Sequence, residues 1–339
     1  MTLRVLRAGV LASVQDLGRA GMQHLAIVPG GAMDRVSHVV ANALVGNEGD
    51  EATLEIALAG PQLAFERDVL VALHGARFEP QLDDAPMPIA RPVLVRAGAK
   101  LRVGRAADGA FGYLAAAGGI DVAPVLHSRS TYLPGAFGGL DGRAVAAGSR
   151  LPLVAGVAKL SASRYERLRR GGRTRPLGAA AASVRWSAPM LTLPATDPIV
   201  VRVVDGVHAD AFDAAARAAL VDAPWRVLPE SNRMGYRLAG PALASTLRRD
   251  IVSQSVGLGT VQVPPAGQPI VLMADRQTTG GYPRIAEVIS ADVALLAQVP
   301  PGRSLRFERV SLDHADAARE ALARRVRDLT ERLRWEYHE

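Results

Sequence analysis

The feature that most constrains the fold is an internal repeat in which weak matches recur in the same order along two halves of the chain. Arg4-Val5-Leu6 returns as Arg202-Val203-Val204, and Leu58-Ala59-Gly60-Pro61 returns as Leu238-Ala239-Gly240-Pro241. Ala97-Gly98 with Leu101 and Val103 matches Ala266-Gly267 with Ile270 and Leu272. Gly112-Tyr113 matches Gly281-Tyr282, and Gly148 with Leu151 matches Gly302 with Leu305. Each match alone is weak, but matches in register order imply two domains built on one plan. They divide the 339 residues into a first domain over 1–155, an Arg-rich linker over 156–195, a second domain over 196–310 and a C-terminal amphipathic helix over 311–339.

Short apolar runs such as Val69–Leu73, Val93–Val95, Ile199–Val204 and Ile270–Met273 alternate with Gly, Pro and Asp at close intervals. That rhythm belongs to a mainly β chain with some α, folded as barrels or sandwiches. Helices are expected over 34–46, opened by Asp34 and closed by Gly46, near 209–221, over 291–298, and at the C-terminus. There Leu322, Val326, Leu329 and Leu333 make one apolar stripe.

Several chemistries are excluded by what is missing. The chain has no Cys, so disulfides, thiolate metal sites and thiol nucleophiles are absent. It has no Gly-Lys pair for a P-loop, no G-x-G-x-x-G, no G-x-S-x-G, no H-E-x-x-H and no His pair at metal-ligand spacing. Neither of its two lysines, Lys100 and Lys159, is flanked by methionines, so covalent biotin on this chain is not expected. The net charge of +7 comes from arginine, and the only dense cluster is Arg164, Arg167, Arg169, Arg170, Arg173 and Arg175. With one nearby aromatic, Tyr165, it reads as a solvated linker and not as a nucleic-acid surface. The N-terminus lacks the pattern of a secretory leader, and no apolar run approaches the ~18 residues of a membrane helix. A soluble cytoplasmic protein acting on a small molecule is the expectation.

Three polar constellations stand out. The first is Ser13-Val14-Gln15-Asp16-Leu17-Gly18-Arg19 followed by Gly30–Asp34, in which Gln15, Arg19 and Asp34 are candidate substrate contacts, or Asp16 and Asp34 simply cap turns and helices. The second is Ser128-Arg129-Ser130-Thr131 in a Gly-rich insertion, where a guanidinium and hydroxyls suit a carboxylate or phosphate, or the Arg satisfies loop carbonyls. The third is densest: Arg233, Gln262 and the run Asp275-Arg276-Gln277-Thr278-Thr279-Gly280-Gly281-Tyr282. It places a carboxylate, a cation, an amide and two hydroxyls beside paired glycines, directly after an apolar strand.

The blocks S-V-Q-D-L-G-R, G-A-M-D, S-R-S-T, N-R-M-G-Y-R-L, V-P-P-A-G-Q-P-I and A-D-R-Q-T-T-G-G-Y-P resemble the KipA family. This is the family of the 5-oxoprolinase C subunit, or allophanate hydrolase subunit 2, related to the urea carboxylase carboxyltransferase domain. Where the family usually has Gly before S-R-S-T, this chain has His127. The resemblance implies two tandem cyclophilin-like β-barrel domains. It also implies two partners, the KipI-like B subunit plus the 5-oxoprolinase A subunit, and an ATP-dependent opening of 5-oxo-L-proline to L-glutamate. With no P-loop here, ATP is expected in an unfamiliar site or on a partner. On this resemblance Asp275 is a proton acceptor, and Arg276 or Arg129 holds a carboxylate or phosphate. Gln277, Thr278 and Thr279 orient the lactam, with Tyr282 beside them. The alternatives are a carboxyltransferase component of a biotin-dependent urea or amide carboxylase, and a regulatory partner of a KipI-like protein.

Overall fold

The computed structural model describes residues 2–170, 172, 174–190, 193–246 and 251–337. Arg173 of the expected Arg cluster lies outside the described residues. The chain forms two compact units, one from residues 1–19, 34–192 and 325–339, the other from 20–33 and 193–324. No helix among the described residues is long and apolar enough to cross a membrane.

The first unit contains two sheets. One runs in the order Arg150–Pro152, Thr2–Arg7, Gln62–Phe65, Lys100–Arg102, Gln81–Leu82, Ala85–Pro86. The other runs Thr174–Leu177, Ala181–Val184, Val93–Val95, Val69–Phe78, Ala106–Ala116, Thr53–Ala57, Leu11–Gln15. They share one apolar core, with Leu3, Val5, Leu63, Phe65 and Leu101 from the first and Val14, Leu54, Ile56, Val71, Leu73, Val93 and Leu114 from the second. Val69–Phe78 is buried along almost its whole length. The helices α1 (Arg35–Leu44) and α2 (Val157–Arg170) both contact it, which accounts for its continuous apolar run.

The second unit is a closed barrel of seven strands: Ile199–Asp205, Arg284–Val288, Thr260–Gln262, Ile270–Leu272, Gly235–Ala239, Trp225–Val227 and Ser304–Arg309. Buried positions alternate with half-buried ones, as at Ile199, Val201 and Val203, and Trp225, Leu305 and Phe307 are fully buried. Helices α3 (Ala214–Asp222), α4 (Val293–Ala297) and α5 (Leu312–Trp335) complete the chain. In α5, Leu322, Val326 and Leu329 are half-buried and Leu333 is buried, so the apolar stripe is the packed side.

The repeat has a physical basis in its turns. Gly98 and Gly267 both adopt positive φ (88° and 78°) just before their strands, as do Gly148 and Gly302 (87° and 92°). These are backbone positions that disfavour any side chain. The copies then diverge: Thr2–Arg7 pairs antiparallel with Arg150–Pro152, whereas Ile199–Asp205 pairs parallel with Ser304–Arg309. Gly112 lies within a strand, whereas Gly281 lies in a loop.

The Arg-rich segment is not a solvated linker. It contributes α2, whose Val157, Tyr165 and Leu168 are buried, and the hairpin Thr174–Leu177/Ala181–Val184, which extends the seven-stranded sheet. Two of its arginines act at the end of α1 and on the C-terminal segment. Arg164 donates to the Val45 carbonyl and to Asn47 Oδ1 (2.8 and 2.9 Å), and Arg167 donates to the Tyr337 carbonyl. The Leu44 carbonyl accepts from Tyr337 and the Asn47 carbonyl from Arg334. Cations at a helix C-terminus meet its unsatisfied carbonyls and the negative end of its dipole. At the other end Asp34 caps α1, accepting from Ser37 N and Oγ (2.9 and 2.6 Å). Its own N–H donates to the Tyr113 hydroxyl, which donates to Glu55.

His38, on the buried face of α1, lies 3.0 Å from Thr53 Oγ1 through Nδ1, and its Nε2 accepts from Asn42. Burial lowers its pKa to about 4, outweighing the attraction of Asp16 and Glu51. Below the unfolded value near 6.5 the unfolded chain takes a proton that the folded chain refuses. Stability is therefore complete above that pH and falls as pH drops toward 4, by about 3 kcal/mol for this one group. Urea unfolding between pH 7 and 4 should show this loss, and H38Q should flatten that part of the curve.

Candidate functional site

The predicted residues assemble into one cluster in each unit. In the first, Asp16 at the end of strand Leu11–Gln15 is the centre. Its carboxylate accepts from Ser128 Oγ and Ser130 Oγ (2.6 Å each), from Gly18 N (2.8 Å) and from the Arg129 amide. Burial alone would raise its pKa, but the two hydroxyls and two amides outweigh that and hold it below the ordinary carboxylate value. Ser130 Oγ also accepts from the Asp16 amide, Thr131 Oγ1 donates to the Val14 carbonyl, and Gln15 Nε2 donates to Ser13 Oγ and the Thr131 carbonyl. Arg19, fully buried, donates to the Val125 and Ser130 carbonyls and lies 4.9 Å from the Phe137 ring centroid.

Gln15, Arg19, Asp34, Ser128, Ser130 and Thr131, the substrate contacts expected in this unit, are all buried to within 1% exposure, and each has protein partners that hold the loop or cap α1, while Gln15 Oε1 makes no hydrogen bond among the described residues. Arg129 is the exception: it is half-buried, and among the described residues its side chain meets the Val122 carbonyl through Nε at 3.0 Å, leaving the rest of the fork for a ligand. Asp16 is the residue whose role was hardest to read from sequence. The only signal was its place between Gln15 and Gly18 in a turn.

In the second unit, Arg233 and Asp275 form a bidentate ion pair (Nε–Oδ2 2.9 Å, Nη2–Oδ1 2.8 Å) at 4% and 2% exposure, and Arg233 also donates to the Gly31 carbonyl. The Asp275 amide donates to the Arg233 carbonyl, so backbone and side chain both tie the two loops. Asp275 is thereby engaged through both carboxylate oxygens and anchors the polar run. Beyond it, Thr279–Gly280 pairs antiparallel with Gln254–Ser255 in a short two-stranded sheet, and the Thr278 carbonyl accepts from the Val256 amide. Arg276 reaches the Val256 and Met273 carbonyls (3.4 and 3.5 Å), and Gln277 Nε2 donates to Gln262 Oε1 (3.4 Å). Gln277 and Thr278 are half-buried, Thr279 and Tyr282 exposed, and Gln262 is 2% exposed. Arg276, Gln277, Gln262, Thr278 and Thr279 are thus one connected group, with Tyr282 at its open side.

Two outcomes test these assignments. D275N leaves Arg233 as a buried, half-paired cation and should lower stability by about 3–5 kcal/mol in chemical denaturation. A second change that removes the charge of Arg233 should return part of that loss. His127, where the family has Gly, is exposed with φ at +63°. Relief of left-handed strain should make H127G more stable by about 0.5–1 kcal/mol in the same assay.

Residues 25–309 match the family model "Carboxyltransferase domain, subdomain A and B". The chain is 39% identical over 336 residues to a protein from Escherichia coli K12 named as the C subunit of 5-oxoprolinase, covering 99% of each chain. It is 36% identical to one of the same name from Haemophilus influenzae, covering 90% of each. Among solved structures, that of the K. lactis urea amidolyase aligns with a TM-score of 0.85 at 28% identity, covering 97% of this chain and 20% of that one. The chain belongs to the carboxyltransferase-domain family, subdomains A and B, within which it is similar from end to end to 5-oxoprolinase C subunits.

Proposed function

We propose that this chain is the C subunit of an ATP-dependent 5-oxoprolinase. It acts with the KipI-like B subunit plus the A subunit to open the lactam of 5-oxo-L-proline to L-glutamate. The observation that carries the reading is reciprocal coverage. The match to the E. coli protein spans 99% of both chains, whereas the match to a urea amidolyase from Lachancea kluyveri spans 94% of this chain but only 17% of that one.

In this reading the second unit's polar group receives the substrate. Arg276 supplies the cation for its carboxylate. Gln277, Thr278 and Thr279 supply an amide and two hydroxyls for the lactam C=O and N–H, beside glycines that allow close backbone approach. The first unit offers Arg129 as a separate anion contact. The Ser128–Thr131 loop, read from sequence as suited to a carboxylate or phosphate, does not present its hydroxyls to a nucleotide. The hydroxyls of Ser128, Ser130 and Thr131 are turned onto Asp16 and the Val14 carbonyl, leaving no cradle of donors for a triphosphate among them. The reading therefore gives the nucleotide to a partner.

A carboxyltransferase role is the second reading, favoured by the family model and by the urea amidolyase structure. The assay that separates the two uses this chain co-purified with its two partner proteins. Glutamate and ADP release from 5-oxo-L-proline are followed while each protein is omitted in turn. The expected outcome is turnover that needs this chain. A stable assembly that releases no glutamate but accepts carboxylate from a biotinylated protein replaces the first reading with the second.

A further inference from the structure

Against the second unit's short two-stranded sheet lies a polar layer that the assignments above only partly use. It is built on one face of two neighbouring barrel strands, in register Thr260↔Glu287 and Gln262↔Arg284, with an irregularity between Val261 and Gln262. Val261 and Ala286, between them, are fully buried among the apolar residues of the barrel. The residues on the layer's own face are polar. Thr260 Oγ1 accepts from the Gly257 amide (3.0 Å) and donates to Glu287 Oε2 (2.6 Å). The threonine is fully buried, and the carboxyl it holds is half-buried, with Oε1 making no hydrogen bond among the described residues.

Two residues along the strand, about 7 Å away at strand spacing, one end of the Gln262 amide meets Gln277. The other end, Nε2, is buried without a hydrogen-bond partner among the described residues. Gly280 of that short sheet packs against it: a Cβ at that position would lie 2.4 Å from Gln262 Nε2. The layer therefore holds an orphaned donor beside a glycine backbone and a fixed carboxyl with an open oxygen. Buried polar groups are ordinarily satisfied, and an orphan beside a carboxyl marks a place for a polar ligand.

We propose that Glu287 is the proton donor of this layer. The lactam lies with its nitrogen against the Glu287 carboxyl and an acceptor oxygen on Gln262 Nε2, and Glu287 protonates the nitrogen as the ring opens. This rests on the lactam-opening reading above. Water adds to the carbonyl carbon, the C–N bond breaks, its electron pair returns to nitrogen, and that nitrogen takes the carboxyl proton. The proton released by the attacking water restores the carboxyl, so at this layer the balance is lactam plus water giving the amino acid, and the coupled hydrolysis of ATP to ADP and phosphate, which consumes a second water, takes place on the partner.

The surroundings suit an acid. Burial raises the Glu287 pKa, against the lowering effects of the Thr260 hydrogen bond and of Arg284 and Arg276. Those two arginines, one from its own strand and one from the polar run after Ile270–Leu272, are the charges that reach it. The residues opposite it on the flanking strands are Val204 and Thr260.

The test uses the complete assembly of this chain with its two partners and the pH dependence of glutamate release. E287Q should lower kcat by about a hundredfold or more and abolish the alkaline limb, along which an acid loses its proton. E287D should retain part of the rate. T260V removes a hydrogen bond that lowers the Glu287 pKa, so its alkaline limb should move to higher pH, a shift that a structural role for Glu287 does not produce. E287Q with wild-type kcat and an unchanged limb overturns the assignment while leaving the oxoprolinase reading intact. If E287Q fails to assemble, T260V decides, and an unmoved limb overturns the proposal. A wild-type assembly that makes no glutamate overturns both.

Discussion

Four donors converge on the Asp16 carboxylate, and the insertion of the first unit takes its shape from that contact. The hydroxyls of Ser128 and Ser130 and the amides of Gly18 and Arg129 all point at one buried charge. A loop this rich in glycine has little apolar surface of its own to bury, so polar contacts must fix it. Charge-assisted hydrogen bonds in a dry setting contribute about 1.5–3 kcal/mol each when all partners are present, and losing one leaves the rest under-satisfied. Gly139 is bound into the same scheme: its φ is positive, and a Cβ there would lie 1.9 Å from Thr131 Oγ1.

The second unit solves the same problem with an ion pair. Arg233 and Asp275 join two loops through side chains and backbone, and the run from Arg276 to Tyr282 leaves that anchor in a fixed direction. In both units the most distinctive motif residues are inward-facing. Motif polarity here mostly fixes backbone geometry, and in the proposed reading a smaller set of groups meets a ligand: Arg129 in one unit, and Gln262, Arg276, Gln277, Thr278, Thr279 and Glu287 in the other.

Much of the fold was legible because its causes are local. Asp34 and Gly46 bracket α1 as an N-cap and a left-handed stop, and the paired glycines 98/267 and 148/302 mark the same turns in both copies. The Arg-rich helix was not legible, because charge density masked the spacing of Val157, Tyr165 and Leu168. What makes α2 a packed element is long-range: Arg164 reaches carbonyls at the end of α1, and Arg167 reaches the C-terminal segment. The site shows the same division. The motifs located the right segments, but whether a Ser, Arg or Asp faces a ligand or a neighbour depends on partners over a hundred residues away, as for Asp16 and Ser130. Glu287 carried no motif signal, and its chemistry appears only when the strand beside it supplies Thr260.

Both buried carboxylates are fully engaged: Asp16 accepts from two hydroxyls and two amides, and Asp275 accepts from the Arg233 guanidinium with both oxygens. In the proposed reading the chain's contribution is preorganisation, with dipoles and donors fixed in advance, which lowers the reorganisation needed in a transition state. The orphaned Gln262 donor carries a desolvation cost that a polar group of a ligand or partner would offset. Gln15 Oε1 is likewise buried without a hydrogen-bond partner among the described residues, so the polar cluster of each unit holds one group whose burial is uncompensated.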